Sequence, residues 1–153
     1  MKRNAGFTLI EILITAAIMG LMAVVIVGNL SSYSNKLLLS IETYRAVSFL
    51  LQARSQAISG RGGSAFGVHL GSQAIALYQG DTYTATSASN RVLAVNDLLE
   101  IASVTLAGGG ADVVFSRLSG KTEMGGSFTI RYKSDISNAK TINIEPSGIA
   151  QAK

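Results

Sequence analysis

The 153 residues carry 13 basic and 9 acidic side chains for a formal charge of +4, and the length suits one domain of ordinary size plus an appended segment. Cysteine is absent and His69 is the single histidine, which excludes disulfide staples, thiolate metal sites, cysteine nucleophiles and histidine metal clusters within one chain. With 14% charged against 48% hydrophobic residues, the chain is too apolar to be disordered, and no metal or other cofactor is expected.

The apolar excess sits at the N-terminus. From Ile12 to Asn35 no side chain is charged, and the nineteen residues from Ile12 to Leu30 are almost wholly Ile, Leu, Ala, Met, Val and Gly. As a helix they rise about 28 Å, close to the hydrocarbon thickness of a bilayer. Lys2 and Arg3 precede the run and no basic cluster directly follows it. The positive-inside bias then keeps the N-terminus in the cytoplasm and exports everything after Ser34. A cleaved secretory signal would want a small-x-small site just after the run, and none stands out around Val27 to Tyr33. A plain anchor leaves Glu11 unexplained, because a carboxylate at the start of the apolar run costs up to about 3 kcal/mol and calls for a cation.

Gly6-Phe7-Thr8-Leu9-Ile10-Glu11, behind the short basic leader Met1 to Ala5, closely resembles the prepilin signature of type IV pilins and type II secretion pseudopilins. The resemblance implies that a membrane-embedded prepilin peptidase cuts between Gly6 and Phe7 and methylates the new amino terminus of Phe7, while the apolar helix is retained. It also implies other pilin or pseudopilin subunits and an inner-membrane assembly platform as partners, with energy from a cytoplasmic ATPase. Cleavage creates an α-ammonium on Phe7 close to the depth of Glu11. A neighbouring subunit's ammonium can then compensate Glu11 during assembly, where either charge left unpaired in lipid is costly. Loss of Lys2 and Arg3 with the leader leaves 13 − 2 = 11 basic against 9 acidic residues, a weak drive toward any polyanion. Gly20 and Gly28 can let helices pack closely or let the helix melt locally, although small residues are common in spans generally. The helix-bending proline that many members of the family carry near Gly28 is missing.

Beyond Asn35 the pattern turns amphipathic. Leu37, Ile41, Tyr44, Val47, Leu51 and Ile58 follow spacings of three, four or seven, while Lys36, Glu42, Arg45, Gln52 and Gln56 take other faces. The first set is expected to lie on a folded domain. Gly60-Arg61-Gly62-Gly63 stops the helix after Ser59, so span and amphipathic half form one helix of about fifty residues.

After the glycine stop, short alternating runs predict antiparallel strands. Phe66, Val68 and Leu70 form a hairpin with Ile75 and Leu77 across Gly71-Ser72-Gln73, and the polar stretch Gln79 to Asn90 reads as a surface loop. Arg91 to Val95, Leu98 to Leu106 and Ala111 to Leu118 are strand candidates. In the last hairpin Phe128, Ile130 and Tyr132 alternate with Thr129, Arg131 and Lys133 and pair with Thr141 to Ile144, after which Ser147-Gly148 is expected to end the sheet. The predicted class is α+β: a long N-terminal helix, half transmembrane and half amphipathic, packed on an antiparallel sheet or small sandwich. The boundaries are a cleaved leader 1–6, a transmembrane and assembly helix 7–34, its amphipathic continuation 35–59, and an exported β domain 60–153. The helix end Leu51 to Ile58, Val114-Phe115 leading to Gly120, and Ile142-Asn143-Ile144 before Gly148 resemble the GspH/FimT-like branch of minor pseudopilins.

Other motifs carry less. Ser119-Gly120-Lys121-Thr122 has Phe115 where a phosphate-binding loop needs its first glycine, so it reads as a turn. His69 reads as an exposed or sheet-edge histidine. No carboxylate pair is placed for acid–base work, and no enzyme activity is expected. Arg131, Lys133 and Lys140, with Arg117 and Lys121, read first as a solvated face. Their functional reading is contact with DNA phosphates by a filament-tip binding module, though no aromatic stacking partners are interleaved. The leading function is that of a structural subunit, a minor pilin or pseudopilin, first in the inner membrane and then in a periplasmic or extracellular filament.

Overall fold

The computed structural model describes residues 7–153, without the side chains of 25–33; the leader with Gly6, and the surroundings of Gly28, lie outside the described residues. The chain divides into two units, Met1–Leu37 and Leu38–Lys153. One helix, α1 (Leu9–Ile58, 50 residues), contributes to both. Its start is set locally: the Glu11 N–H donates to Thr8 Oγ1 at 3.3 Å, the N-cap half of a Thr-x-x-Glu capping box. Glu11 also places a negative charge in the first turn, where the helix dipole favours it. The Thr15 hydroxyl turns back to the carbonyls of Glu11 and Ile12, both at 3.0 Å, and so needs no outside partner. Among the described residues no helix is long and apolar enough to cross a membrane; the apolar sequence continues into 25–33, whose side chains are outside that set.

In the second unit α1 meets eight strands in two antiparallel sheets. Sheet A has the order β3 (Arg91–Ala94), β2 (Ala74–Gln79), β1 (Phe66–Leu70), β5 (Asp112–Phe115). Sheet B has the order β4 (Leu99–Leu106), β6 (Gly126–Tyr132), β7 (Ala139–Ile144), β8 (Ala150–Ala152). One core joins the layers: Leu50 from α1, Val68, Ile75, Leu77, Val113 and Phe115 from sheet A, and Leu99, Phe128, Ile130 and Ile142 from sheet B. The α+β class and the helix on antiparallel sheets stand as expected. So do the Phe66–Leu70 hairpin, in which Val68 pairs with Leu77 and Leu70 with Ile75, and the alternation of β6. Helix termination is also as read, with Gly60 in the left-handed region at φ 64° one step past Ser59.

Four details differ. The helix face on the domain is not the large apolar one: Leu39, Ala46, Leu50, Ala53 and Ala57 are buried, while Leu37, Ile41, Tyr44, Leu51 and Ile58 are exposed and Val47 is half-buried. Three of these five buried residues are alanines, whose small side chains let a helix backbone come close to what it packs on; at the helix end the Leu118 N–H caps the Ala57 carbonyl at 2.9 Å. The sheet does not end at Gly148. That glycine, at φ 80°, turns the chain so that Ala150–Ala152 pairs with β7. β5 stops at Phe115, because the Ser116 N–H turns to the Lys121 carbonyl and Leu118 takes φ 65°, which ends an extended strand. β4 starts at Leu99 and bulges between Ala102 and Thr105, with Ser103 at φ 51°.

Candidate functional site

The described residues of the N-terminal motif stand in the open. Phe7 is 82% exposed, and Leu9, Ile10, Ile12, Leu13, Ile14, Met19, Leu21 and Met22 are exposed around Glu11. A side chain at Gly20 would meet nothing within 4 Å. A row of large apolar groups with no cover in the subunit, holding one carboxylate, is a surface shaped for other helices or lipid. On the second unit the exposed residues Ile41, Tyr44, Leu51 and Ile58 are apolar as well. On the buried side of α1 Glu42, only 5% exposed, is held by Arg45 three residues on, at 2.6 Å. A buried carboxylate in this position is tolerated because the guanidinium compensates it.

At the far end of α1 the three stretches noted in sequence converge. Arg54 Nε donates to the Ser147 carbonyl at 3.3 Å. A Cβ on Gly148 would lie 1.9 Å from the Gly120 carbonyl oxygen, and one on Gly120 would lie 2.6 Å from Ile58. The helix end, the turn after β5 and the turn before β8 thus lock around two glycines with positive φ, Gly120 at 64° and Gly148 at 80°. The Ser119 to Thr122 segment is part of this lock, not a phosphate loop.

The cations proposed for DNA are not gathered. Register places Lys140 opposite Ile130, on the core side of sheet B, where its Nζ reaches Ser40 Oγ at 3.0 Å. Arg131 is on the opposite face, bonded to Glu100 on the neighbouring strand at 2.7 Å. Lys133 Nζ reaches Gln73 Oε1 at 2.9 Å.

Sequence reading missed a cluster on the outer face of sheet A. His69 is not at an edge, since β1 lies between β2 and β5. Its Nδ1 is 3.0 Å from Asp112 Oδ1, the residue paired with it on β5. The ring stacks on Tyr83 with centroids 4.1 Å apart and planes within 7°. Tyr78 lies across Gly67 and tilts against Tyr83 at 5.4 Å. Burial, then the Asp112 charge and hydrogen-bonding proximity, then Asp81, push the Tyr78 phenol well above its usual range. The polar loop after β2 is therefore pinned to the sheet by an aromatic that a Ser/Thr-rich stretch does not advertise. Among the described residues no group of three or more His, Asp or Glu is placed to hold a metal ion.

An apolar helix lined by one carboxylate and laid at its other end on two antiparallel sheets defines a pilin-like subunit. The minor pilin FimU of Pseudomonas aeruginosa PAO1 matches in two crystal forms at 16% identity, with TM-scores of 0.57 and 0.58 over 75% of this chain and 92% and 87% of those chains. The minor pseudopilin EpsH of the Vibrio cholerae type II secretion system matches at 15% identity and TM-score 0.57, over 76% of this chain and 94% of that one. Curated protein sequences give no match. The prokaryotic N-terminal methylation motif matches residues 1–27, and the type II transport protein GspH family model matches residues 42–148. The chain belongs to the GspH family of type II transport proteins, within the type IV pilin superfamily. It is a structural subunit, a minor pilin or pseudopilin of a type IV pilus or type II secretion pseudopilus, and associates with other pilin subunits.

Proposed function

We propose that this subunit enters the inner membrane through residues 7–34 in a single pass, with the leader 1–6 in the cytoplasm and residues 60–153 exported. Prepilin peptidase cuts between Gly6 and Phe7 and methylates Phe7. The subunit then leaves the bilayer through the inner-membrane assembly platform and joins the filament along α1, with 35–59 tying helix to domain. It carries out no chemistry of its own.

The observation that carries this reading is the uncovered apolar surface of α1 around Glu11. The start of α1 supplies a bland role for Glu11, as the third residue of a capped first turn. Capping needs only the Thr8 hydroxyl and the Glu11 backbone, however, and leaves the carboxylate free to meet the Phe7 ammonium of a neighbour. The mass of the N-terminal fragment, from cells with and without the peptidase, tests the processing. A peptidase-dependent terminus at methylated Phe7 is expected, and an intact Met1 or a cut beyond Leu30 would overturn it.

A further inference from the structure

Two turns at one pole of the second unit leave large apolar side chains exposed. Leu98, in the connection from β3 to β4, is 58% exposed, and Ile136, in the turn between β6 and β7, is 69% exposed. The turns are neighbours: the Lys133 N–H donates to the Leu98 carbonyl at 3.1 Å, and the Lys133 ammonium reaches Gln73 of the β1–β2 turn. Each is closed by its own bonds. The Leu98 N–H donates to Asn96 Oδ1 at 3.0 Å; the Asn138 N–H donates to the Asp135 carbonyl and the Ser137 N–H to Asp135 Oδ1, both at 3.1 Å. Preformed turns thus hold both apolar tips outward, and little further ordering is needed for them to bind.

Connectivity ties this pole to the start of the domain. Lys140, near the beginning of β7, reaches Ser40 Oγ on α1 at 3.0 Å. Ser40 follows Ser34, the last residue of the proposed transmembrane helix, by six residues, at most about 20 Å even for extended chain. The opposite pole, where Gly120 packs on Ile58, lies eighteen residues beyond Ser40, about 27 Å along α1. The charges around the tips balance: Asp97 and Asp135 precede Leu98 and Ile136 in sequence, and Lys133 and Lys140 belong to the same turn and strand start. Among the described residues none of the four forms an ion pair. Asp135 stays ionised, because hydrogen bonds from Ser137 hold its carboxyl below the usual carboxylate range.

We propose that this pole docks on the surface of the bilayer, with Leu98 and Ile136 entering the headgroup layer and the charged groups meeting zwitterionic phospholipids. The inference rests on the single-pass reading given above. Exposed apolar tips gain from leaving water for the boundary between headgroups and acyl chains. A purely basic face would select anionic lipid. Here two carboxylates offset two ammonium groups, so the matching headgroup carries both an ammonium and a phosphate. The contact belongs to the subunit waiting in the membrane and is lost when that subunit leaves the bilayer.

Because the chain has no cysteine, single substitutions can carry one fluorophore each: Ser137→Cys at this pole, Ser119→Cys at the other, and Thr15→Cys in the apolar run. The full chain is reconstituted in vesicles of phosphatidylcholine and phosphatidylethanolamine. Nitroxides on lipid headgroups read the first two labels, and nitroxides on acyl chains read the third. Strong quenching at Ser137 and little at Ser119 is expected. Leu98→Ser/Ile136→Ser should lower the docked-to-undocked ratio about tenfold, and added salt or phosphatidylglycerol should change it by less than about twofold. Both side chains are exposed, so the double variant should melt as the parent does; Ile136→Ser alone gives the same comparison should the pair disturb the fold. Three results would overturn the proposal: Ser137 quenched no more than Ser119, quenching that survives the double substitution, or quenching that needs anionic lipid. A Thr15 label in the hydrocarbon with Ser137 unquenched removes the docking alone, whereas a Thr15 label outside it removes the single-pass reading as well. In native membranes a benzophenone on the Ser137→Cys side chain should take lipid. A protein adduct that the double substitution abolishes would make the pole a protein interface instead.

Discussion

Two stripes on the same helix divide its work. The stripe against the sheets is built from Leu39, Ala46, Leu50, Ala53 and Ala57, and the stripe away from them from Ile41, Tyr44 and Leu51. By side-chain volume the exposed stripe is the more hydrophobic. The difference shows that apolar periodicity marks a helix face without saying what covers it. The covering domain selects small residues, because a helix seated on two sheets gains more from close backbone approach and dispersion than from bulk. The larger Ile41, Tyr44 and Leu51 stay exposed.

The sharpest break of this contrast lies in the buried stripe. Leu50 is fully buried between the layers, so Leu50→Ala should lower domain stability by about 4 kcal/mol, read from denaturant unfolding. A loss below about 1 kcal/mol would mean that the face is not packed as described. Ala53 is equally buried. Ala53→Leu makes the inner stripe resemble the outer one and should cost about 2 kcal/mol through overpacking. A neutral or stabilising result would show that small size is not what this face requires.

The same contrast measures what the sequence disclosed. The glycine stop after Ser59 and the alternation of Phe128, Ile130 and Tyr132 each rest on a local rule of backbone or pattern, and the motif Gly6 to Glu11 on a family resemblance; the class and most strands were legible from them. The phase of the helix face was not, because both stripes obey the same spacing and only the tertiary partner breaks the tie. β8 was hidden behind Gly148, whose positive φ serves a turn within a sheet as readily as its end. The His69, Asp112 and Tyr83 cluster joins two strands and a loop far apart in sequence, and no local period records it. Arg131 and Lys140 looked like neighbours in a patch until register put them on opposite faces of β6 and β7.

Tyr78 extends the comparison of covered and uncovered groups to sheet A, and pH reads it. Its phenol is raised on folding, first by burial and then by Asp112. In the unfolded chain it ionises near pH 10, whereas the folded state keeps its proton. The contribution is thus intact below about pH 10 and falls as pH rises toward the folded value, by about 1 kcal/mol near pH 11. Tyr78→Phe should flatten this limb of the stability–pH curve while leaving the fold intact, as followed by thermal melts from neutral pH upward. An unchanged limb would mean that the hydroxyl is not buried.

The smallest expected effect on stability falls on the outer stripe, and it separates the two stripes most cleanly. Ile41 and Tyr44 are 46% and 68% exposed, so Ile41→Ser/Tyr44→Ser should move unfolding by no more than about 0.5 kcal/mol. If the stripe is a contact between subunits, the same double variant should be processed and accumulate at parental levels yet fail to enter filaments, as judged by crosslinking to neighbouring subunits in sheared or detergent-extracted assemblies. Glu11→Gln provides the matched case at the other end of α1. It keeps the Thr8 cap, removes the charge and should leave cleavage and domain stability unchanged while lowering incorporation. A loss of stability in the stripe variant would place its residues in the fold, and full incorporation of both variants would leave the uncovered face of α1 without a partner. Stability lost only from the inner stripe, with assembly lost only from the outer stripe and Glu11, would mean that one helix holds two independent interfaces set by side-chain size and one charge.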